Sequence, residues 1–566
     1  MRRPGLTGSI VLACGFLIGA ASSGSVTASV GAGHGVVEVS GSAIPNSAEV
    51  VSISCVAPGE CAAGGDYSYY GPANQLRYSQ AFVVDEADGS WGNPIEVPGT
   101  ETVNRGGHAE VDSISCAAVG ECAAAGDFTD DLRDKDGFHD THAFVASETD
   151  GTWGTAIEVT GMATFNRGDP TVESISCPAA GDCVAGGSFY AGHGNEQAFV
   201  VGETNGSWGK AIAVPGIARL NRGGYAAVDS ISCAAAGECS AGGGYTGGGG
   251  AYQAFVVGEK NGRWGNAIEV LGTARLNKGG DAVADSISCA TVGECGAGGS
   301  YTDSRGRHAF VADETNGRWG KAIEVPGTAR LNNDGVAEAD SDSISCAAAG
   351  DCVAGGLYTG GSGAMQAFVV GETNGIWGKA IEVPGTAALN TGGFASVESI
   401  SCAAAGDCAA GGYYAGPGSS AAFVVSETNG AWGNAIEVPG TESTVGVGAS
   451  VGSVSCTAAG ECAAGGSYTD SFGRPQGFVV TETNTSWGTA IPVSNFPASC
   501  RVPNLHGKGI HAAEKTLKAA DCRLGKITKA YSIVKKGRII AQQPKRGTTV
   551  NAGTRVSLTV SKGKKT

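Results

Sequence analysis

Apolar and polar residues alternate in short runs along most of this chain. No stretch between the runs carries an amphipathic helical period of useful length. In one representative stretch, Val172 to Cys177 places Val and Ile at alternate positions. Cys183 to Phe189, Gln197 to Val201 and Trp208 to Val214 then follow as three more β-favouring runs. Gly, Asn and Asp turns bound them, so the pattern predicts an antiparallel four-stranded meander. The first turn is a hairpin spanned by two cysteines, with Gly and an acid just before the second (Gly181-Asp182, Gly237-Glu238). The third turn, Glu203 to Trp208, contains Asn-Gly, which suits a tight hairpin because both residues tolerate positive φ. In the last copy Thr485 replaces that glycine.

The same unit occurs eight times. Each copy reads Ser-Ile-Ser-Cys or a close variant, five residues, then a second cysteine, small residues and an aromatic. The pairs are Cys55 with Cys61, Cys116 with Cys122, Cys177 with Cys183, Cys233 with Cys239, Cys289 with Cys295, Cys346 with Cys352, Cys402 with Cys408 and Cys456 with Cys462. A tryptophan follows each: Trp91, Trp153, Trp208, Trp264, Trp319, Trp377, Trp432 and Trp487. Successive first cysteines are 61, 61, 56, 56, 57, 56 and 54 residues apart, a period at which each unit buries its apolar face against its neighbours. Eight four-stranded units predict an all-β fold, an eight-bladed β-propeller over residues 36–495, rather than an open solenoid or a string of hairpin modules. Val36 to Gly41 matches the fourth-strand run Ala267 to Val270, so the chain enters mid-repeat, and an extra strand there would complete the last blade.

The 95 glycines among 566 residues fit a turn-rich β protein. At the start, Arg2 and Arg3, the apolar Ile10 to Ala21 and the small-residue site Val26-Thr27-Ala28 read as a signal peptide over residues 1–28, followed by a short linker at 29–35. Val11-Leu12-Ala13-Cys14 raises lipidation of Cys14, but the following Gly15-Phe16-Leu17-Ile18 continues the apolar segment, which favours simple cleavage. The expectation is a secreted, extracellular protein without a transmembrane segment. Cysteine usage agrees: an even mature count at regular spacing in an exported chain implies disulfides within each pair, each stapling its own hairpin. Metal ligation by the pairs would need four convergent ligands, and each repeat offers two cysteines without a histidine.

Residues 500–563 resemble a PASTA domain, the small α+β module of penicillin-binding proteins and bacterial Ser/Thr kinases. The resemblance rests on Val502 to Gly507, the helix-like Ile510 to Ala520, Gly537 to Pro544, Gly547 to Val550 and Gly553 to Gly563, in order. It implies one helix packed on a three-stranded sheet, and Val556, Leu558 and Val560 alternate as a half-buried strand should. A bond between Cys500, ahead of the first strand, and Cys522, at the helix end, would staple a domain too small for a large core. Residues 564–566 form a basic tail. From Cys500 onward sixteen Lys and Arg face two acids, Glu514 and Asp521, a net of +14 that leaves −31 for residues 1–499. Such asymmetry suits a tail domain that meets an anionic polymer. The resemblance implies peptidoglycan as that partner, or else a spacer role. The repeats also resemble those of exported propeller-like proteins of actinobacteria, and Ser147 to Trp153 looks like the Asp-box of sialidase-type propellers. The Gly-to-Trp spacing is shorter than in that family, where the motif is structural.

Catalysis on a ring needs unequal side chains converging near the axis, and the Ser-Ile-Ser-Cys runs expected there are nearly identical. None contains the arginines of a sialidase-like site, and no helix-borne His-Glu-x-x-His, Gly-x-Ser-x-Gly or phosphate-cradling Gly-Lys-Ser/Thr motif occurs. His108, His142, His193 and His308 read as solvated loop residues. The aromatics Tyr67, Phe128, Phe189, Tyr245, Tyr301, Tyr358, Tyr414 and Tyr468 read as packing between blades rather than as a sugar-stacking platform, because Phe replaces Tyr freely. The acids from Asp130 to Asp136 have calcium-like spacing, yet they lack a distal bidentate Glu; a weaker version occurs at Asp85 to Gly89. No cofactor is expected.

These readings predict an exported, non-catalytic, cell-envelope-associated binding or scaffold protein. The propeller serves as recognition scaffold for an unidentified ligand, and the PASTA module tethers it to peptidoglycan or another anionic wall polymer, not to nucleic acid. Alternatives are a glycan-active enzyme on an Asp-box-like propeller and a purely structural envelope protein. Strand parity puts the constant acidic turns at one end. The unequal loops Gly71 to Gln80, Asp130 to Thr141, Thr246 to Tyr252, Thr302 to Arg307 and Gly416 to Ser420 lie at the other, which is the expected recognition face.

Overall fold

The computed structural model describes residues 47–565 apart from 70–77, 134–138, 162–168, 192–194, 333–336, 417, 442–447, 472, 497–498, 519, 521 and 552–554. The expected leader, Cys14, the linker and the strand-like Val36 to Gly41 lie outside the described residues, as does His193.

Eight antiparallel meanders follow one another along the chain. Blade 4 is typical: first strand Ala226–Ala235, second Glu238–Thr246, third Tyr252–Lys260, and a fourth in two pieces, Arg263–Trp264 and Ile268–Glu269. The expected continuous fourth strand is therefore broken. Glu259 pairs with Trp264 and Val256 with Ile268, so the outer strand carries one extra residue where Gly265 N–H donates to the Gly258 carbonyl at 2.8 Å. Single helical turns absent from the sequence reading link several blades, for example Ile217–Leu220 and Thr273–Leu276. The asparagine that ends each of these two turns, Asn221 or Asn277, donates from Nδ2 to the start of its blade's third strand at 2.8 Å.

The Ala-Phe-Val-Val run of the third strand is apolar at every position because both of its faces are covered. Phe255 and Val257 pack against blade 3, with Val184, Ala198 and Val200. Ala254 and Val256 pack against blade 5, with Ala284, Ile287 and Tyr301. The Gly-Gly of the second strand gives clearance. A Cβ on Gly242 would stand 2.7 Å from Ile287 Cδ1 of the next blade, and one on Gly243 would overlap the Ala227 carbonyl.

The first strands are innermost, each contacting the first strand of the next blade and the last contacting the first. Their inner edges are satisfied by serine. In every copy the amides of the Ile (Val454 in blade 8) and the Cys donate to the two serine hydroxyls of the preceding blade, at 2.9–3.2 Å. Two unbroken circles of eight bonds result. Closure between blades 8 and 1 is also apolar: Val50, Ile53 and Phe82 pack with Ala463, Val479 and Val493, and Phe496 stacks on Tyr67 at 4.6 Å.

Besides stapling their own hairpins, the cysteine pairs take part in this packing between blades. The second cysteine of every pair is buried. Cys61 packs with Ala463 and Val479 of blade 8, and Cys122 with Ala62 and Val83 of blade 1. Cys408 packs with Val353 and Val369 of blade 6, and Cys462 with Ala409 and Val424 of blade 7. Cys183, Cys239 and Cys352 likewise meet their preceding blades. The second strand turns this position toward its neighbour, so the half-cystine fills the seam as an apolar side chain. These second cysteines are core residues.

In the C-terminal domain, helix Ile510–Lys518 covers a three-stranded sheet. Strand Arg555–Ser561 lies between a parallel neighbour, Arg523–Ala530, and an antiparallel one, Ile539–Gln543. Ala513, Leu517, Ile539, Val556, Leu558 and Val560 form its core, and Cys500 and Cys522 are bonded within it.

Candidate functional site

The two ends of the ring are built differently. At one end, the cysteine hairpin and the Asn-Gly turn of each blade dock onto one another. All eight short pairs are bonded within their own blade: Cys55 to Cys61, Cys116 to Cys122, Cys177 to Cys183, Cys233 to Cys239, Cys289 to Cys295, Cys346 to Cys352, Cys402 to Cys408 and Cys456 to Cys462. The amide of the second turn residue donates to the carbonyl just before the hairpin acid, as from Gly262 to Gly237 at 3.0 Å. The hairpin acid then accepts the adjacent turn amide in all eight blades, for example Glu238 from Asn261 at 3.0 Å and Glu294 from Asn316 at 2.9 Å. These constant acids are structural caps.

A glutamate lies behind each cap, at the end of the third strand, buried in seven blades and half-buried as Glu259 in blade 4. Glu203 and Glu482 accept hydrogen bonds from Ser147 and Ser426 of the preceding blade at 2.7 and 2.6 Å. Burial raises the carboxyls of Glu148 and Glu372 to about 7; the neighbouring charges of Asp85 and Glu121, or of Asp313 and Asp351, add to the shift. Asp85 and Asp313 also accept the indole N–H of Trp153 and Trp377 at 3.1–3.2 Å. The calcium-like turn from Asp85 to Gly89 is thus occupied by seam contacts: Asp85 holds Trp153, and Asp88 sits at φ 50° in the turn itself.

The opposite end carries the second-to-third-strand loops and the blade connections. Near the axis it is acidic. A bulge in the first strand inserts one residue outside the strand register before Ser-Ile-Ser-Cys, and that residue is Asp112, Glu173, Asp229 or Glu398 in four blades. In blades 1 and 8 it is Val51 and Gly452. Burial pushes Asp112 well above the carboxylate range, reinforced by Asp127, Glu110, Glu173 and Asp66; Asp229 is raised by burial too, with Glu173 and Glu196 adding to it. The sequence reading missed this ring because it treated the innermost strands as uniform. The signal was one residue upstream of the motif.

The strongest departure from symmetry sits at the seam of blades 1 and 2. His108 precedes the first strand of blade 2, with Nε2 3.3 Å from Glu110 Oε1 and 3.5 Å from Asp127 Oδ1. Its Nδ1 is 2.9 Å from the Ser79 hydroxyl of blade 1. The hydrogen bond to Glu110 raises the imidazole to about 9 against the opposing effect of burial, and Asp127 adds to it. Burial raises Asp127 and Asp66 to about 7, with Glu110 the leading charge in both cases. His108 is an exposed connection residue, as expected, although carboxylates hold its ring; the expectation of solvated loop histidines fails for His308 and His142. His308 is buried at the start of a third strand and stacks on Tyr301 at 5.1 Å. His142 stacks on Phe128 at 5.1 Å and pairs with Glu158 at 3.1 Å. Their ring carbons supply packing area that a loop would not, and nearby carboxylates hold the nitrogens.

Seven of the eight repeated aromatics are core, and Tyr468 is half-buried against the core of blades 7 and 8. Tyr67 and Tyr301 are fully enclosed, and Phe128, Phe189, Tyr245, Tyr358 and Tyr414 nearly so. Among the acids from Asp130 to Asp136, Asp130 faces His142 at 3.4 Å and Asp131 faces Arg105 at 3.7 Å; residues 134–138 lie outside the described residues. Gly71 to Arg77 of the first variable loop also lie outside them.

Residues 501–562 match the PASTA domain family. A probable serine/threonine-protein kinase of Clostridium perfringens is 33% identical over 75 residues, covering 13% of this chain and 11% of the kinase. A second probable kinase, of Clostridium acetobutylicum, is 32% identical over 98 residues, 16% and 15% of the two chains. The chain thus spans less than a sixth of the length of these relatives. Among solved structures, Sqt1 of Chaetomium thermophilum aligns with a TM-score of 0.39 at 10% identity, covering 79% of this chain and 96% of that one. Polysaccharide lyase Uly1 aligns at 0.36 and 11%, covering 82% and 90%. At such scores neither carries an argument about activity.

Proposed function

We propose that this is an exported, non-catalytic binding protein of the cell envelope, held there by its PASTA domain, with the loop end of the propeller as its recognition surface. The observation that carries the reading is the C-terminal domain: residues 500–566, a PASTA fold with its basic tail, carry a net charge of +14 and follow residues 1–499 of net charge −31. Opposite charges on the two parts favour contact of the small domain with an anionic wall polymer while the ring is repelled from it. Binding at the loop end is supported by the contrast between the ends of the ring. One is uniform and occupied by its own caps; the other carries unequal loops on a rigid scaffold. Non-catalysis is supported by the inner wall, where the sixteen serine hydroxyls of the Ser-Ile-Ser-Cys runs are engaged by amides of the next blade.

The test is a pull-down of mature protein on isolated cell-wall sacculi, with and without residues 500–566, alongside a glycan array read for both binding and cleavage. The expected result is retention by sacculi that weakens as salt rises and disappears on truncation. Equal retention of the truncated protein would refute the tether, and cleavage of any arrayed glycan would refute the non-catalytic reading.

A further inference from the structure

We propose that His108, Glu110 and Asp127 form a binding site for one divalent transition-metal ion, with Zn²⁺ the best fit, at the seam of blades 1 and 2. The inference is independent of the envelope-binding reading.

Three observations converge. The first is distance. The ligand atoms all lie within 4.8 Å of one another, with Nε2 of His108 3.3 Å from Glu110 and 3.5 Å from Asp127. Tetrahedral bonds of about 2.0–2.1 Å place neighbouring ligand atoms about 3.3 Å apart, so little movement is needed to admit the ion. The second is orientation. The Ser79 hydroxyl holds Nδ1 at 2.9 Å and aims Nε2 at the two carboxylates, the outer-shell arrangement that fixes a metal-ligating imidazole. The third is an unmet demand. Asp127 is only 7% exposed, and its Oδ1, facing His108, has no hydrogen-bond donor. Asp112 Oδ2 is likewise buried without one. Clustered buried carboxylates short of positive charge are costly, and a dication neutralises more of them than one imidazole can.

The repeat supplies an internal control. The positions of His108, Glu110 and Asp127 hold Ser47, Glu49 and Asp66 in blade 1, and Tyr225, Ala227 and Gly244 in blade 4. No other copy places a histidine with two carboxylates there. His108 is half-exposed on the loop end, so the ion is reachable from solvent. Three protein ligands leave a fourth position for water or for a donor atom of a bound molecule. An imidazole beside two carboxylates favours Zn²⁺ or Mn²⁺ over Ca²⁺, which takes oxygen ligands.

The full mature chain, stripped with chelator, would be titrated with Zn²⁺, Mn²⁺ and Ca²⁺ by calorimetry, and its metal content measured after desalting. The expected result is one equivalent of Zn²⁺. Affinity should fall at least tenfold in both His108→Ala and Asp127→Asn and stay unchanged in His506→Ala, which removes a histidine of the small domain. His108→Ala changes a half-exposed side chain, so it keeps the test open if the buried variant folds poorly. Failure of wild-type protein to bind Zn²⁺ at millimolar concentration, or equal binding by His108→Ala, would overturn the proposal. So would Ca²⁺ binding tighter than Zn²⁺.

Discussion

The amide of Ile53 donates to the hydroxyl of Ser453, 400 residues further along the chain, at 3.1 Å. The neighbouring bond, from Cys55 to Ser455, is 2.9 Å. Equivalent bonds at the other seams join blades already linked through the chain, whereas among the described residues only non-covalent contacts join blade 8 to blade 1. Removing both hydroxyls leaves two inner-edge amides unpaired, at about 0.5–1.5 kcal/mol each. Ser453→Ala with Ser455→Ala should therefore speed hydrogen exchange in blades 1 and 8. Ser174→Ala with Ser176→Ala, at an internal seam, should leave exchange in those blades unchanged. Equal local effects from both pairs would show that closure relies on other contacts.

A second pairing explains why Phe and Tyr interchange. The phenol of Tyr245 donates to Glu269 at 3.0 Å and that of Tyr301 to Glu324 at 3.1 Å; Tyr358 bonds Glu382 and Tyr414 bonds Glu437 in the same way. Blade 3 has Phe189, and the matching acid there is replaced by Ala213. Blade 2 has Phe128, and its Glu158 bonds His142 instead. Tyr358→Phe and Glu382→Ala should each destabilise by about 1 kcal/mol, and the double variant by less than the sum. Strict additivity in denaturant unfolding would deny the coupling.

Stability should decline from mildly acidic to neutral pH. Glu148 and Glu372 stand at about 7 in the folded ring against an ordinary value of 4.5. The folded state therefore binds more protons than the unfolded one between those values. Their contribution is present below about 4.5 and is lost as pH rises through about 7. Asp66 and Asp127, also raised to about 7, act in the same direction. Glu148→Gln or Glu372→Gln should raise stability at pH 7.5 by on the order of 1 kcal/mol and flatten the profile between pH 5 and 7.5. Thermal melts across that range check the sign, and a wild-type protein more stable at pH 7.5 than at pH 5 would contradict it.

Non-reducing peptide mapping should recover each short cysteine pair as one cross-linked peptide, together with Cys500–Cys522. Because each short loop closes over a separation of only six residues, Cys233→Ala with Cys239→Ala should destabilise by about 2 kcal/mol and leave the ring folded. Free thiols throughout, or bonds between blades, would be incompatible with this arrangement.

Much of the architecture is local and was therefore readable from residue order. Strand runs, tight turns and cysteine pairs involve residues within one unit, where the side-chain period and turn chemistry apply directly. The eightfold repetition and the count of four strands per unit followed from that, as did the helix and sheet of residues 501–562. The break in the fourth strand was not readable, because a bulge depends on register with a neighbouring strand rather than on the run's own composition. Nor were the single helical turns, which are too short to show a period.

What only the tertiary structure decided are relationships across seams. Ser453 meets Ile53 because the ring closes, and nothing in either residue's surroundings in sequence announces it. Cys61 and Cys462 were legible as bonded partners, but not as core residues lying against blades 8 and 7. The hydroxyl of Tyr358 finds Glu382 because the second and fourth strands of a blade stand close across the third. His108, Ser79 and Asp127 come from a connection and from two strands in different blades, and only packing of adjacent blades sets their distances. Sequence by itself determined the unit, its repetition and its turn chemistry, since these are nearest-neighbour effects. Which side chains converge depends on how curved, twisted sheets meet, and that is a property of the assembled ring.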